Sequence, residues 1–172
     1  EGFQLDRGFQ VFLTGYPEAR ETLDYPALNL MPFHSGTLIR HDGRFHVMSD
    51  PFRRPQDLPQ MLLSPIGSFA DKFRMWRMRR DTLQQRLCAV IKDPARPTHD
   101  VLQAYDFSDA MVMHFFRPFL SGVFLETELR TPCWIFELVW AAFCRGVTAL
   151  PRDGMGAIAQ QLAATLPPGT IR

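Results

Sequence analysis

Apolar and polar positions along this chain predict one short β region followed by a long helical one. Thr37 to Ser49 carries the clearest β signal, with Thr37-Leu38-Ile39-Arg40-His41 and Arg44-Phe45-His46-Val47-Met48 flanking Asp42-Gly43. Asp-Gly supplies the positive φ values of a type I′ turn, so residues 35–50 read as a hairpin. Upstream, Gly2 to Val11 alternates weakly and is split by Asp6-Arg7-Gly8, which predicts an extended segment bending at Gly8. Pro17 opens a short helix to Leu23, with Glu18 at its positive end.

Residues 55–146 read as helical. A short helix is expected over Gln56–Leu63, then a long one over 66–92. In the long helix Ile66, Phe69, Phe73, Trp76, Leu83, Leu87 and Val90 keep a three-and-four spacing, a single stripe, until Asp93-Pro94 ends it. Thr98 and Asp100 start a helix to Tyr105. Ser108 caps the next, whose face is Met111, Val112, Phe115, Phe116, Phe119 and Leu120, with a kink expected at Pro118. Thr131-Pro132 opens a helix to Arg145, stopped by Gly146 and apolar nearly all round, hence central. A last helix covers Gly156–Leu166, and Thr170-Ile171-Arg172 reads as the opening of a strand. The fold class expected is α+β, mostly helical, with a small sheet or hairpin and covering helices. Few strand candidates remain to support the hairpin, which suggests partners elsewhere.

At 172 residues the chain is long enough for one domain with a core. Its 15 Phe, 8 Met and 3 Trp either fill that core or line an apolar cavity. A net charge of +1 gives no global argument for nucleic acid. Cys88, Cys133 and Cys144 lie in apolar contexts and read as reduced and buried, which suits the cytoplasm. The apolar run Cys133–Cys144 contains Glu137 and is too short to span a bilayer.

Candidate chemistry is sparse. Gly154-Met155-Gly156-Ala157-Ile158-Ala159 fits the loose G-x-G-x-x-A pattern, yet no second strand and acidic residue follow, and Asp153 would repel a pyrophosphate at the helix entrance. A glycine-permitted turn before a helix explains the same residues. Lys72, Arg74, Arg77, Arg79 and Arg80, interleaved with Met75, Trp76 and Met78, suit either an anionic membrane surface or a solvated helix face. The five histidines lack ligand spacing, so no metal site is expected. No G-x-S-x-G elbow and no paired carboxylates stand out.

Three blocks together resemble phytoene desaturase-like proteins of the flavin amine oxidase superfamily. Gly2-Phe3-Gln4-Leu5-Asp6-Arg7-Gly8-Phe9-Gln10-Val11 resembles the stretch soon after the first nucleotide-binding unit. Phe115-Phe116-Arg117-Pro118-Phe119-Leu120-Ser121-Gly122-Val123-Phe124 resembles the substrate-domain signature of bacterial members. Leu150-Pro151-Arg152-Asp153-Gly154-Met155-Gly156-Ala157-Ile158 resembles the Pro-x-Gly-Gly-Met segment leading back into the FAD domain, with Asp153 where the family usually has Gly.

The resemblance implies that residues 1–172 form one segment of a substrate domain, with 1–15 and 150–172 as junctions to an FAD-binding domain of the same parent chain. The start at Glu1 and the Pro167-Pro168-Gly169 stop near the other end fit a piece of a longer protein. It implies FAD in the parent, none bound by this piece alone, and hydride abstraction from an apolar small-molecule substrate such as a polyene. Asp6, Gly8, Gly154 and Gly156 would then face the flavin, and Phe115, Phe116, Phe119 and Phe124 would line the substrate. No residue is assigned a catalytic role. Self-association of the isolated piece is expected through exposed apolar surface. The alternative reading is a stand-alone helical module that docks on a membrane or a protein through helix 66–92.

Overall fold

The computed structural model describes residues 5, 6, 8, 11–86, 93 and 95–171. The order along the chain is β1 (Phe12–Leu13), α1 (Pro17–Thr22), α2 (Tyr25–Leu28), β2 (Leu30–Pro32), β3 (Gly36–His41), β4 (Arg44–Ser49), a 3-10 turn (Pro55–Asp57) and α3 (Leu58–Leu63). It continues with α4 (Phe69–Leu83), α5 (Thr98–Ala104), α6 (Asp109–Met111), a π-helical turn (Val112–Phe116), α7 (Arg117–Phe124), α8 (Cys133–Arg145), β5 (Thr148–Pro151) and α9 (Gly156–Ala164). The class is α+β, with small antiparallel sheets and covering helices. The backbone divides into two compact units, Glu1–His34 with Ala142–Arg172, and Ser35–Ala141. Both segments read as junctions, 1–15 and 150–172, belong to the first unit.

The first unit is built on a three-stranded sheet in the order β1-β5-β2, both pairings antiparallel. Phe12 stands opposite Ala149 and Met31 opposite Leu150. Thr14 extends the pairing: its N–H donates to Val147 O at 3.0 Å, and its hydroxyl accepts from Val147 N at 2.8 Å. Two glycines permit a close backbone approach here. A Cβ on Gly15 would stand 2.1 Å from Ala142 O, and one on Gly146 would stand 2.0 Å from Gly15 N. Neither position has room for a side chain. Asp24 caps α2 through Ala27 N, and Gln161 of α9 binds both Asp24 N and Asp24 O at 3.0 Å.

The second unit holds the hairpin and the main core. His41 pairs with Arg44 across Asp42 (φ 48°) and Gly43 (φ 74°), the turn expected from Asp-Gly. The hairpin stays two-stranded, and Met48 on its covered face is buried. Tyr105, Phe116, Leu120, Leu129 and Phe136 form the fully buried centre of this unit. Around them rings meet edge to face, Phe107–Phe116 at 4.8 Å and Phe115–Phe116 at 5.0 Å. One carboxylate ties two helix starts together. Asp71, fully buried, accepts from the N–H and hydroxyl of Ser68 and from the N–H and hydroxyl of Ser108 at 2.7–2.9 Å. Ser68 thereby closes a capping box on α4, and Ser108 caps α6.

Several expectations change. The long helix begins at Phe69, not Ile66, because Ser68 and Asp71 form its cap; it ends at Leu83, and 87–92 lie outside the described residues. Its regular stripe is not the packed face. Phe69, Phe73, Trp76 and Leu83 are exposed, while Asp71, Met78 and Thr82 are buried. Spacing identifies a face but not the side that packs, and here the buried Asp71 network turns the polar side inward. At Pro118 the helix does not simply bend. The preceding turn widens to π geometry, since proline lacks an N–H and its ring crowds the carbonyl four residues back. α8 buries Cys133, Phe136 and Trp140 but exposes Trp134 and Leu138, so it is covered on one side only. Cys133 is disulfide-bonded, which corrects the reading of three reduced cysteines; Cys144 is a buried thiol, and Cys88 lies outside the described residues. No strand forms at Thr170 or Ile171.

Candidate functional site

The two motifs at the ends of the chain meet in the first unit. Met155 N donates to Asp6 Oδ1 at 2.9 Å across 149 residues of sequence. Gly154 has a φ of 80° and donates to Pro151 O at 3.0 Å, so β5 turns directly into α9 through a left-handed glycine. Asp6 thus settles over the first turn of α9, where a carboxylate is favoured by the exposed N–H groups of a helix start. Asp153 sits in the same turn and is exposed. Gly8 has a φ of 139°, and among the described residues nothing beyond the adjoining backbone lies within 4 Å of where a Cβ on Gly8 or Gly156 would stand. Asp6, Gly154 and Gly156 are therefore brought together, with open space beside Gly156. Of the opening block, Gly2–Gln4, Arg7, Phe9 and Gln10 lie outside the described residues.

The same unit contains a cleft of about 630 Å³ that the sequence did not reveal, because its walls come from distant segments. Thr14, Arg20, Tyr25, Leu30, Val147 and Ala149 are among its lining. Arg20 Nε and the Tyr25 hydroxyl both donate to Thr14 O, at 2.9 and 3.3 Å. Burial raises the Tyr25 phenol, partly offset by the Arg20 charge, so it stays protonated and a donor.

The substrate-lining candidates lie in the second unit. Phe115 and Phe116 are buried, Phe116 completely. Phe119 stacks on Phe115 at 5.9 Å and meets Trp140 at 6.2 Å, while Phe119 and Phe124 are part-exposed. The basic candidates divide. Lys72 Nζ turns inward to the carbonyls of Leu62 and Ser64, both at 2.9 Å, and burial lowers its pKa, with Asp71 acting the other way. Arg74 pairs with Asp106, and Arg79 with Asp50 at 3.4 Å while lying over Phe52. Arg77 and Arg80 share Asp81 and stand on the exposed face.

Three histidines without sequence spacing also meet. His41 lies 4.6 Å from the His114 ring and 6.4 Å from that of His46. Among the described residues, no group of three or more His, Cys, Asp or Glu is arranged to hold a metal ion. No helix of the described residues is long and apolar enough to cross a membrane.

A family model described as flavin containing amine oxidoreductase matches residues 1–172. No curated protein and no solved structure matches the chain.

Proposed function

The chain belongs to the flavin containing amine oxidoreductase family, and on that premise we propose that it forms the substrate side of an FAD-dependent oxidoreductase acting on an apolar small molecule. The family implies FAD in the whole protein. When bound, FAD supplies the hydride acceptor.

The residues present do not fit its pyrophosphate. The helix start that would hold an anion, at α9, already has Asp6 on Met155 N and Asp153 in its turn, and two carboxylates there oppose a phosphate. The open space beside Gly156 suits instead the approach of an uncharged ring edge to backbone. We therefore assign phosphate binding to a separate nucleotide-binding domain, and to this chain the placing of substrate and the exclusion of water.

One observation carries the reading: the Asp6–Met155 hydrogen bond, which joins the two blocks that resemble the family's approaches to its cofactor domain. An apolar substrate is supported by the part-exposed Phe119 and Phe124 on α7 and by the aromatic cluster behind Phe119. The test is anaerobic mixing of the FAD-loaded holoprotein with candidate reductants. A polyene should bleach the oxidised-flavin band, and a short polar amine should not. Bleaching by the amine alone would reject the apolar assignment.

A further inference from the structure

We propose that the outer face of α4 docks flat on an anionic lipid surface. The face is continuous: Phe69, Phe73, Trp76 and Leu83 recur at helical spacing, and they are 68%, 64%, 42% and 38% exposed. The Phe73 and Trp76 rings lie 5.5 Å apart, and the Arg80 guanidinium stands 5.5 Å from the Trp76 ring. Aromatic rings beside arginine are the composition that settles at the boundary between headgroup and acyl chain.

Charge complementarity selects the occupant. Arg80 stands on this face beside Trp76, and Arg77 stands at its edge over the Tyr105 ring, each about half exposed. The carboxylates of α4 are withdrawn from it. Asp71 is fully buried in its serine network, and Asp81 is largely covered and accepts from the Tyr105 hydroxyl at 2.9 Å. Two arginines therefore share one withdrawn carboxylate, and the face is net positive. A second copy of the chain would set arginine against arginine, so an anionic surface is the better match.

The helix is also held ready. Its capping box fixes the first turn, and Lys72 Nζ ties it to the carbonyls of Leu62 and Ser64, which flank the exposed Leu63. At 15 residues α4 is about 22 Å long, too short to span a bilayer and long enough to lie along one.

The test is co-sedimentation of the full chain with phosphatidylcholine vesicles, with and without phosphatidylglycerol, together with quenching of tryptophan emission by brominated lipid. Binding should require phosphatidylglycerol and weaken as salt rises. Quenching should disappear in Trp76→Phe. Removing both charges in R77Q/R80Q should weaken partitioning roughly thirty-fold, given the surface attraction of each arginine. R77K/R80K should bind nearly as well as wild type, which separates lost charge from lost fold. Failure to bind anionic vesicles overturns the proposal, including a chain that self-associates but ignores lipid. So does equal binding to phosphatidylcholine alone, unchanged binding by R77Q/R80Q, or quenching retained in Trp76→Phe.

Discussion

Asp71 shows what a single side chain settles in this protein. Burial pushes its carboxyl up, but hydrogen bonds from the backbone and hydroxyl of Ser108 and Ser68 outweigh that and bring it from an ordinary 3.8 to about 2. A carboxylate held below its unfolded value adds stability above the ordinary value and loses it as pH falls through about 2. The contribution amounts to roughly 2 kcal/mol. Urea melts of wild type and Asp71→Asn across that acid window should therefore converge; parallel curves would contradict the network's role. At neutral pH Asp71→Ala, which removes the buried acceptor of four hydrogen bonds at two helix starts, should lose about 3 kcal/mol. Gly15→Ala puts a methyl group into the Ala142 carbonyl. It should lose several kcal/mol, roughly 3 or more, in a thermal melt. A melt unchanged by Gly15→Ala would mean that the backbone does not approach so closely.

At the scale of elements, α4 gives the sharpest contrast. Met78 is buried and Phe73 and Trp76 are exposed, against the stripe read from spacing. Met78→Ala should therefore destabilise by about 3 kcal/mol. Phe73→Ser and Trp76→Ser should each stay within about 0.5 kcal/mol in the same denaturation assay. The reverse order would put the stripe back in the core.

The physical reason for the misreading is specific. Period 3.6 locates a face, but Asp71 reaches Ser108, 37 residues away, and that contact decides which side turns inward. The hairpin was legible because Asp42-Gly43 carries its own turn geometry. The Ser108 cap was legible for the same local reason, whereas the Ser68 capping box went unread. The π turn at Val112–Phe116 was legible only as a disturbance, since proline signals where a helix is strained and not how the strain is absorbed.

Across the whole molecule, the three-stranded sheet was not legible. Its strands have two, three and four residues, and β1 pairs with β5 across more than a hundred positions. Nothing local marks such a pairing. The residues of the candidate site were legible as residues, because glycines and a carboxylate stand out within short motifs; the hydrogen bond from Met155 to Asp6 across 149 positions was not. The cleft beside Thr14 was invisible for the reason the sheet was.

Exposed Leu38 and Phe45 on the outer face of the hairpin leave apolar surface next to open strand edges. Light scattering of the isolated chain should accordingly show mass rising with concentration, and a constant monomer would argue against that surface being sticky.

We propose above that this chain shapes the substrate side of a flavin site without holding the nucleotide. That proposal is tested by mixing the folded 172-residue chain with FAD, desalting, and measuring flavin absorbance per chain. The protein should emerge colourless and still melt cooperatively. A yellow chain retaining one flavin apiece and oxidising a substrate unaided would contradict it.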